Sequence, residues 1–120
     1  MDFAGITFES VQILSREGSM WEDLDHTLHE DLNSDIGSAI EMSLGRNCSV
    51  GDLDIIKISY YTNEDSKALN FIQASNTADK GKPMMYTFCS PIYCRSLAPM
   101  MDSPSSKLTY NAIITVDSSL

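Results

Sequence analysis

Apolar residues stand at every second position over much of the chain after residue 50. Ile56, Ile58 and Tyr60 alternate with Lys57 and Ser59, a period that is typical of a β-strand with one buried face. Three further runs of this kind cover residues 68–74, 84–90 and 108–116. Short polar turns separate the first three runs, and a loop with Pro99 and Pro104 precedes the fourth. They predict an antiparallel meander, because parallel neighbours need long crossover connections.

The first apolar run, residues 5–15, also has a period of two, but the phase changes within it. Ile6 and Phe8 share one phase, whereas Val11 and Ile13 take the opposite one. An extra residue in a strand restores the apolar side chains to a single face. We therefore predict a first strand with a bulge near Ser10.

Between these regions, residues 19–45 have the spacing of a helix. Ser19 and Glu22 form an S-x-x-E capping box, which marks a helix start. At about 100° per residue, four apolar side chains fall within an arc of roughly 80°. These are Trp21, Leu24, Leu28 and Leu32. The pattern predicts a helix that packs this stripe against the sheet.

Apolar residues then continue at every fourth position, at Ile36, Ile40 and Leu44. A spacing of four drifts by about 40° per step on a helix of period 3.6. The poor helix formers within Asn33–Gly37 lie where this drift begins. We expect either a kink there or two short helices, with Gly45 ending the segment. The predicted fold is a single α+β domain of 120 residues, in the order strand, helical segment, four strands.

This element order resembles that of two families, the cystatins and the hotdog-fold thioesterases. The cystatin inhibitory turn carries a Q-x-V-x-G motif, and the nearest stretch here, Gln73–Thr77, lacks both the valine and the glycine. The loop before the last strand has Pro99 and Pro104 without the tryptophan that the cystatin pattern requires. The resemblance implies a helix on a sheet and carries no activity with it.

The net charge of −9 is concentrated in one half of the chain. Residues 1–60 hold 12 acidic and three basic residues, whereas residues 61–120 hold five of each. Such a surface repels phosphate backbones, so we expect no direct nucleic-acid contact. No apolar run approaches the roughly 18 residues that a membrane span needs, and the first residues lack a secretory signal. The sequence predicts a cytoplasmic protein without membrane contact.

Candidate metal and redox residues are few. An odd number of cysteines, Cys48, Cys89 and Cys94, favours small apolar thiols over a disulfide framework. Glu22, His26 and Glu30 would share one helix face and offer ligands to a metal. The chain has no histidine outside this segment to complete the site. We therefore interpret these groups as solvated and expect no cofactor.

The acidic helix face is the main candidate for contact with another molecule. Its predicted partner-binding residues are Glu22, Asp23, His26, Glu30 and Asp31. Charge of this kind speeds encounter with a basic protein partner and selects among partners. The predicted function is a non-catalytic acidic interaction protein, such as an inhibitor or a nucleic-acid mimic.

Two alternatives stay open alongside this interaction protein. One is a structural subunit that self-associates into a homo-oligomer through its sheet. The other is a small hotdog-like enzyme with a pocket between helix and sheet. Met100 and Met101, in a proline-bounded loop, are further candidate contact residues, since methionine adapts to irregular apolar surfaces.

Overall fold

The chain forms a nearly all-β structure with only two short 3-10 helices among its described residues. The computed structural model describes residues 1–15, 18–33 and 36–116, and the side chains of all of these except 31–33. The strands are β1 (Asp2–Phe3), β2 (Ile6–Leu14), β3 (Trp21–Asp23), β4 (His26–Asn33), β5 (Gly37–Met42), β6 (Ile56–Thr62), β7 (Leu69–Ile72) and β8 (Met84–Thr87). The 3-10 helices are Ala74–Asn76 and Cys94–Ser96.

The strands make three small antiparallel sheets. The first has the order β1-β5-β4, the second β3-β2-β6, and the third is the β7–β8 hairpin. In the second sheet the register between β2 and β6 shifts between Phe8 and Ser10. The bulge predicted near Ser10 is therefore confirmed, and it turns Ile6 and Val11 to the same buried side.

The predicted helical segment is wrong. Residues 21–23, 26–33 and 37–42 form strands, so the α+β class and the helix-on-sheet arrangement are both corrected. A spacing of four is also two strand repeats, which places apolar residues on one face of a strand without any drift. Leu28 and Ile40 lie directly opposite each other in β4 and β5. Cross-strand packing of this kind outweighs a weak helix signal.

The orientation predicted for the apolar stripe is also largely wrong. Of its members, Leu24 is buried, but Trp21 is 42% exposed and its ring lies 5.4 Å from the Nζ atom of Lys57. Leu28 is at the surface, and the side chain of Leu32 lies outside the described set. The predicted kink at Asn33–Gly37 falls at the connection between β4 and β5, of which residues 34 and 35 are not described.

Gly37 occupies a position that no other residue fits. Its φ angle is +84°, in the region that L residues rarely adopt. A Cβ atom added there would lie 2.6 Å from the carbonyl oxygen of Phe3. The close approach lets β5 pair with the short first strand, which brings Phe3 into the core.

The core lies between the two three-stranded sheets. Its buried members are Phe3, Ile6, Val11, Leu24 and Ile40, with half-buried side chains of β6 packed against them. The rings of Phe3 and Phe8 meet edge to face at 5.0 Å. The alternation that predicted β6 is confirmed by this packing, since Ile56, Ile58 and Tyr60 all contact the core.

The later predicted strands are confirmed only in part. β7 and β8 are shorter than the predicted runs, and residues 107–116 pair with no other described residue in a strand. The segment with the clearest apolar alternation in the sequence therefore has no strand partner among the residues described. No helix of the described chain is long and apolar enough to cross a membrane.

Candidate functional site

The most highly organised polar cluster surrounds Arg95, in the short helix Cys94–Ser96. Its side chain is 11% exposed, and its Nε atom donates to Asp102 Oδ2 at 3.2 Å. A second guanidinium nitrogen donates to the carbonyl of Asp102 at 2.7 Å and lies 3.6 Å from Asp2 Oδ2. The third donates to the carbonyl oxygen of Ile36. We call Arg95, Asp2, Asp102 and this carbonyl the Arg95 cluster.

Backbone pairing places the cluster against the first strand. The amide of Asp2 donates to the carbonyl of Met100, and the amide of Met100 donates back. The amide of Ala4 donates to the carbonyl of Arg95, and that of Asp102 to Asp2 Oδ2 at 3.1 Å. Residues 95–102 therefore cover the outer edge of β1, and the carboxylates of Asp2 and Asp102 neutralise the buried charge of Arg95.

A disulfide and two serines hold the loop that carries Arg95. Cys89 and Cys94 form a disulfide, which corrects the prediction that these residues are apolar thiols. Ser66 Oγ donates to the carbonyl of Ser96 at 2.7 Å, and the amide of Ala68 donates to Ser96 Oγ at 2.9 Å. These buried bonds connect the start of β7 to the Arg95 loop. Cys48 is a free, exposed cysteine.

The predicted partner-binding residues lie on two different sheets. Glu22 and Asp23 belong to β3, whereas His26, Glu30 and Asp31 belong to β4. Glu22, Asp23, His26 and Glu30 are exposed, and the side chain of Asp31 lies outside the described set. The structure does not bring them together on one helix face, and whether they contact a basic partner stays a prediction.

The two histidines make separate local contacts. His26 Nδ1 lies 2.9 Å from the carbonyl oxygen of Leu24, and His29 Nε2 lies 2.8 Å from Glu41 Oε2. His29 and Glu41 are diagonal neighbours across β4 and β5, within reach of each other on one sheet face. Among the described residues no group of three or more His, Cys, Asp or Glu side chains is arranged to hold a metal ion.

The second candidate surface is apolar. Side chains of the β7–β8 hairpin and of the segment after it surround a cavity of about 390 Å³. It is lined by Leu69, Phe71, Pro83, Met84, Met85 and Val116. This cavity does not lie between a helix and a sheet, which corrects the hotdog-like arrangement. Of the predicted methionines, Met101 is exposed, and Met100 is half-buried beside β1.

Sequence reasoning missed the Arg95 cluster. Arg95 is the only arginine in residues 61–120, and it stands among Leu97, Pro99 and other apolar residues. An arginine in an apolar, proline-punctuated loop is a signal for a buried charge that needs a partner. The sequence does not reveal that its partners come from residue 2 and residue 102.

Comparison with known proteins identifies a family that matches the chain and several longer relatives. The model of the peptidase M1 N-terminal domain matches residues 1–120. Leucine aminopeptidase 2 of Neurospora crassa is 29% identical over 96% of the chain, and that of Chaetomium globosum 28% over 95%. Leukotriene A-4 hydrolase of Xenopus laevis is 32% identical over 70% of the chain.

The chain spans only about one sixth of the length of these relatives, since the matches cover 16%, 17% and 14% of them. The relatives are peptidases and a hydrolase, so the predicted non-catalytic acidic interaction protein is wrong. The same finding contradicts the prediction that the protein is not an enzyme, and with it the inhibitor or mimic. The chain belongs to the peptidase M1 N-terminal domain family.

Proposed function

We propose that the chain works as one part of a peptidase that removes amino-terminal residues such as leucine from peptides. The observation that carries the proposal is the family match over all 120 residues, combined with relatives that are about six times longer. The substrate class follows the name of those relatives, leucine aminopeptidase 2. The reacting groups are assigned to the larger remainder of such an enzyme.

The geometry supports a positioning role for the chain within that enzyme. The buried guanidinium of Arg95 binds the partly buried carboxylates of Asp2 and Asp102, which suits a structural contact rather than a group that exchanges protons with substrate. The disulfide Cys89–Cys94 and the Ser66–Ser96 bonds fix the same loop. The chain would supply a rigid β surface against which the rest of the enzyme is placed.

A chimera tests the proposal. Residues 1–120 replace the matching segment of the Neurospora crassa leucine aminopeptidase, and hydrolysis of leucine p-nitroanilide is measured. We expect kcat/KM within about tenfold of the parent enzyme, a difference of roughly 1.4 kcal/mol in transition-state stabilisation. The parent enzyme with the segment deleted is the control. A chimera that unfolds cooperatively near the parent Tm but has no activity would contradict the proposal.

A second substrate tests which of the two named activities the parent enzyme has. The Xenopus laevis relative is 32% identical over 70% of the chain, and its name describes hydrolysis of leukotriene A-4. A parallel chimera with that enzyme should be tested on leukotriene A-4 and on leucine p-nitroanilide. Activity confined to the first compound would favour the hydrolase over the aminopeptidase as the parent activity.

A further inference from the structure

The Cys89–Cys94 disulfide joins the end of the β7–β8 hairpin to the Arg95 cluster. Cys89 follows Phe88, whose amide donates to the carbonyl of Ala68 beside β7 at 2.9 Å. Cys94 begins the short 3-10 helix that carries Arg95. The disulfide therefore connects two parts of the fold that otherwise meet through hydrogen bonds. Whether it is closed or open affects how firmly the hairpin is held.

Hydrogen bonds should keep this loop folded when the disulfide is open. The amide of Tyr93 donates to the carbonyl of Cys89 at 2.7 Å. Ser96 accepts from the amide of Ala68 and has a buried bond to Ser66. The hydrophobic core and the side chains packed against it all belong to residues before position 61, so they do not depend on the disulfide. Opening the disulfide is expected to loosen the loop without unfolding the domain.

The disulfide closes a ring of only six residues, because the two cysteines are five positions apart. In the chain-entropy account, the stabilisation from a disulfide grows with the logarithm of the ring size. A ring of this size corresponds to roughly a fortyfold change in the equilibrium between the open and the closed loop. The disulfide is thus strong enough to change the mobility of the loop and too weak a constraint to decide whether the whole domain folds.

Both cysteines are accessible to a reductant. Cys89 and Cys94 are half-buried, and their neighbours Phe88, Ser90 and Pro91 are exposed. Thiol–disulfide exchange requires that an attacking thiolate reach one of the two sulfur atoms. A disulfide sealed inside a core denies that approach, whereas a disulfide in this position at the surface permits it.

The remaining cysteine also argues against a permanent disulfide framework. Small secreted domains with such a framework hold an even number of cysteines in several bridges. This chain has three cysteines, of which Cys48 is free and exposed. A free exposed thiol is readily oxidised under oxidising conditions. A single disulfide beside a surviving free thiol is the pattern of a bond that is both made and broken.

We propose that Cys89–Cys94 is a site of reversible thiol–disulfide exchange with a dithiol. A thiolate of the dithiol attacks one sulfur atom, the S–S bond breaks, and a mixed disulfide and one cysteine thiolate result. The second thiol of the dithiol then attacks the mixed disulfide and releases the other cysteine. Two electrons and two protons pass to the protein, so the dithiol leaves as a disulfide and both cysteines become thiols. Reduction frees the end of the hairpin from the Arg95 cluster.

A count of thiols in the native chain is the first test. The Cys48→Ser variant leaves only the two paired cysteines, and dithiothreitol serves as the dithiol, without denaturant. Labelling with a maleimide, followed by mass spectrometry, should find no thiol before reduction and two after the dithiothreitol is removed. Treatment with glutathione disulfide should return the count to zero. A pair that is labelled only after the chain is denatured would overturn the proposal.

Hydrogen exchange of backbone amides measures what reduction does to the loop. In the reduced chain, the amide of Tyr93 should exchange about tenfold or more faster than in the oxidised chain, because the ring no longer holds it against the carbonyl of Cys89. The amides of β2 that pair with β6 are the internal control and should exchange equally in both forms. Equal rates at Tyr93 would overturn the proposal. Faster exchange throughout β2 would overturn it too, since the disulfide would then hold the whole fold.

Matched cysteine variants assign the effect to the pair. A chain with both Cys89→Ser and Cys94→Ser should show the fast exchange of Tyr93 whether or not dithiothreitol is present. Cys48→Ser should keep the full response of the unaltered chain. A response that is lost in Cys48→Ser would assign the exchange to the free thiol and overturn the proposal. A double-serine chain that does not fold would also overturn it, because the reduced chain is expected to keep its core. All these measurements are made on the 120-residue chain, so they do not depend on the peptidase activity proposed above.

Discussion

The two parts of the molecule use their apolar residues in opposite ways. Residues 1–62 close a core between two sheets, and they hold five of the seven buried apolar side chains in the described chain. In residues 63–116 only the small side chains of Ala68 and Pro99 are buried among the apolar residues, while Phe71, Tyr110 and Ile113 face outward. The first part stabilises itself, whereas the second part depends on polar bonds and on the Cys89–Cys94 disulfide.

This difference teaches that hydrophobic content alone does not show what a region packs against. The two parts have similarly apolar sequences, but the first buries several of its large side chains internally and the second leaves most of its own exposed. The Arg95 cluster connects the two parts, because Asp2 of the first strand binds Arg95 and Asp102 in the loop that follows β8. Four sets of variants would break or sharpen the contrast.

Disruption of the Arg95 cluster should lower the free energy of unfolding more than any of the other changes. Arg95→Met leaves the carboxylate of Asp102, which is 14% exposed, without its cation. Breaking a buried ion pair in this way costs about 3–5 kcal/mol in the free energy of unfolding. Urea denaturation followed by circular dichroism measures it. Arg46→Met removes an arginine bound to Asp52 and Asp54 at a more solvated site and should cost clearly less.

A pair of isoleucine truncations tests the contrast directly. Ile40 is 2% exposed in the core, so Ile40→Ala should lower the free energy of unfolding by about 2–5 kcal/mol. Ile113→Ala removes the same atoms from a solvated site and should change the stability of the isolated chain by less than about 0.5 kcal/mol. Similar losses in denaturant titrations of both variants would mean that the second part also has a closed core.

A pair of glycine variants tests how tightly the first part is built. Gly37→Ala meets both a positive φ and the Phe3 carbonyl at 2.6 Å, so it should cost about 2 kcal/mol or more. Gly45 has a φ of +64° but nothing within 4 Å of an added Cβ. Gly45→Ala should therefore cost only the conformational term of about 1 kcal/mol. Thermal denaturation of both variants measures the difference, and equal Tm values would contradict the close approach of β1 and β5.

The smallest effect is expected at the tip of the β7–β8 hairpin. The backbone amide of Gly81 and the hydroxyl of Thr77 donate to Asp79, and together they lower the pKa of its carboxyl below the ordinary value of 3.8. Stabilisation of the tip by the charged form is complete above pH 3.8 and is lost as the pH falls through the lowered pKa. The amide proton shift of Gly81 should report this titration, and Asp79→Asn should abolish it. A shift that is unchanged by the substitution would exclude the hydrogen bond.

The strands with a simple alternation could be predicted from the sequence. The phase change between Phe8 and Val11 located the bulge in β2, and Ile56 to Tyr60 located β6, because burial of one face of a strand imposes a period of two. Residues 108–116 have an equally clear alternation but no strand partner in the described chain. Periodicity predicts which face is apolar, but it does not predict what covers that face.

The capping box and the apolar stripe of residues 19–32 favour a helix, yet one feature of the sequence argues against it. The spacing of four at Ile36, Ile40 and Leu44 drifts on a helix and is exact on a strand, but it was interpreted as the sign of a kink in a helix. The Arg95 cluster was harder still to predict from the sequence. Arg95 meets Asp2 across more than ninety residues, and only the folded chain shows such a contact.

The pairing of Asp2 with Met100 has a consequence for how the protein is made. Translation proceeds at about 5–20 residues per second, so the edge of β1 waits roughly 5–20 seconds for residue 100 to leave the ribosome. During that interval the nascent sheet presents an open edge on which a neighbouring nascent chain could assemble. Yield in the cell would then depend on elongation rate and on chaperones that shield the first strand.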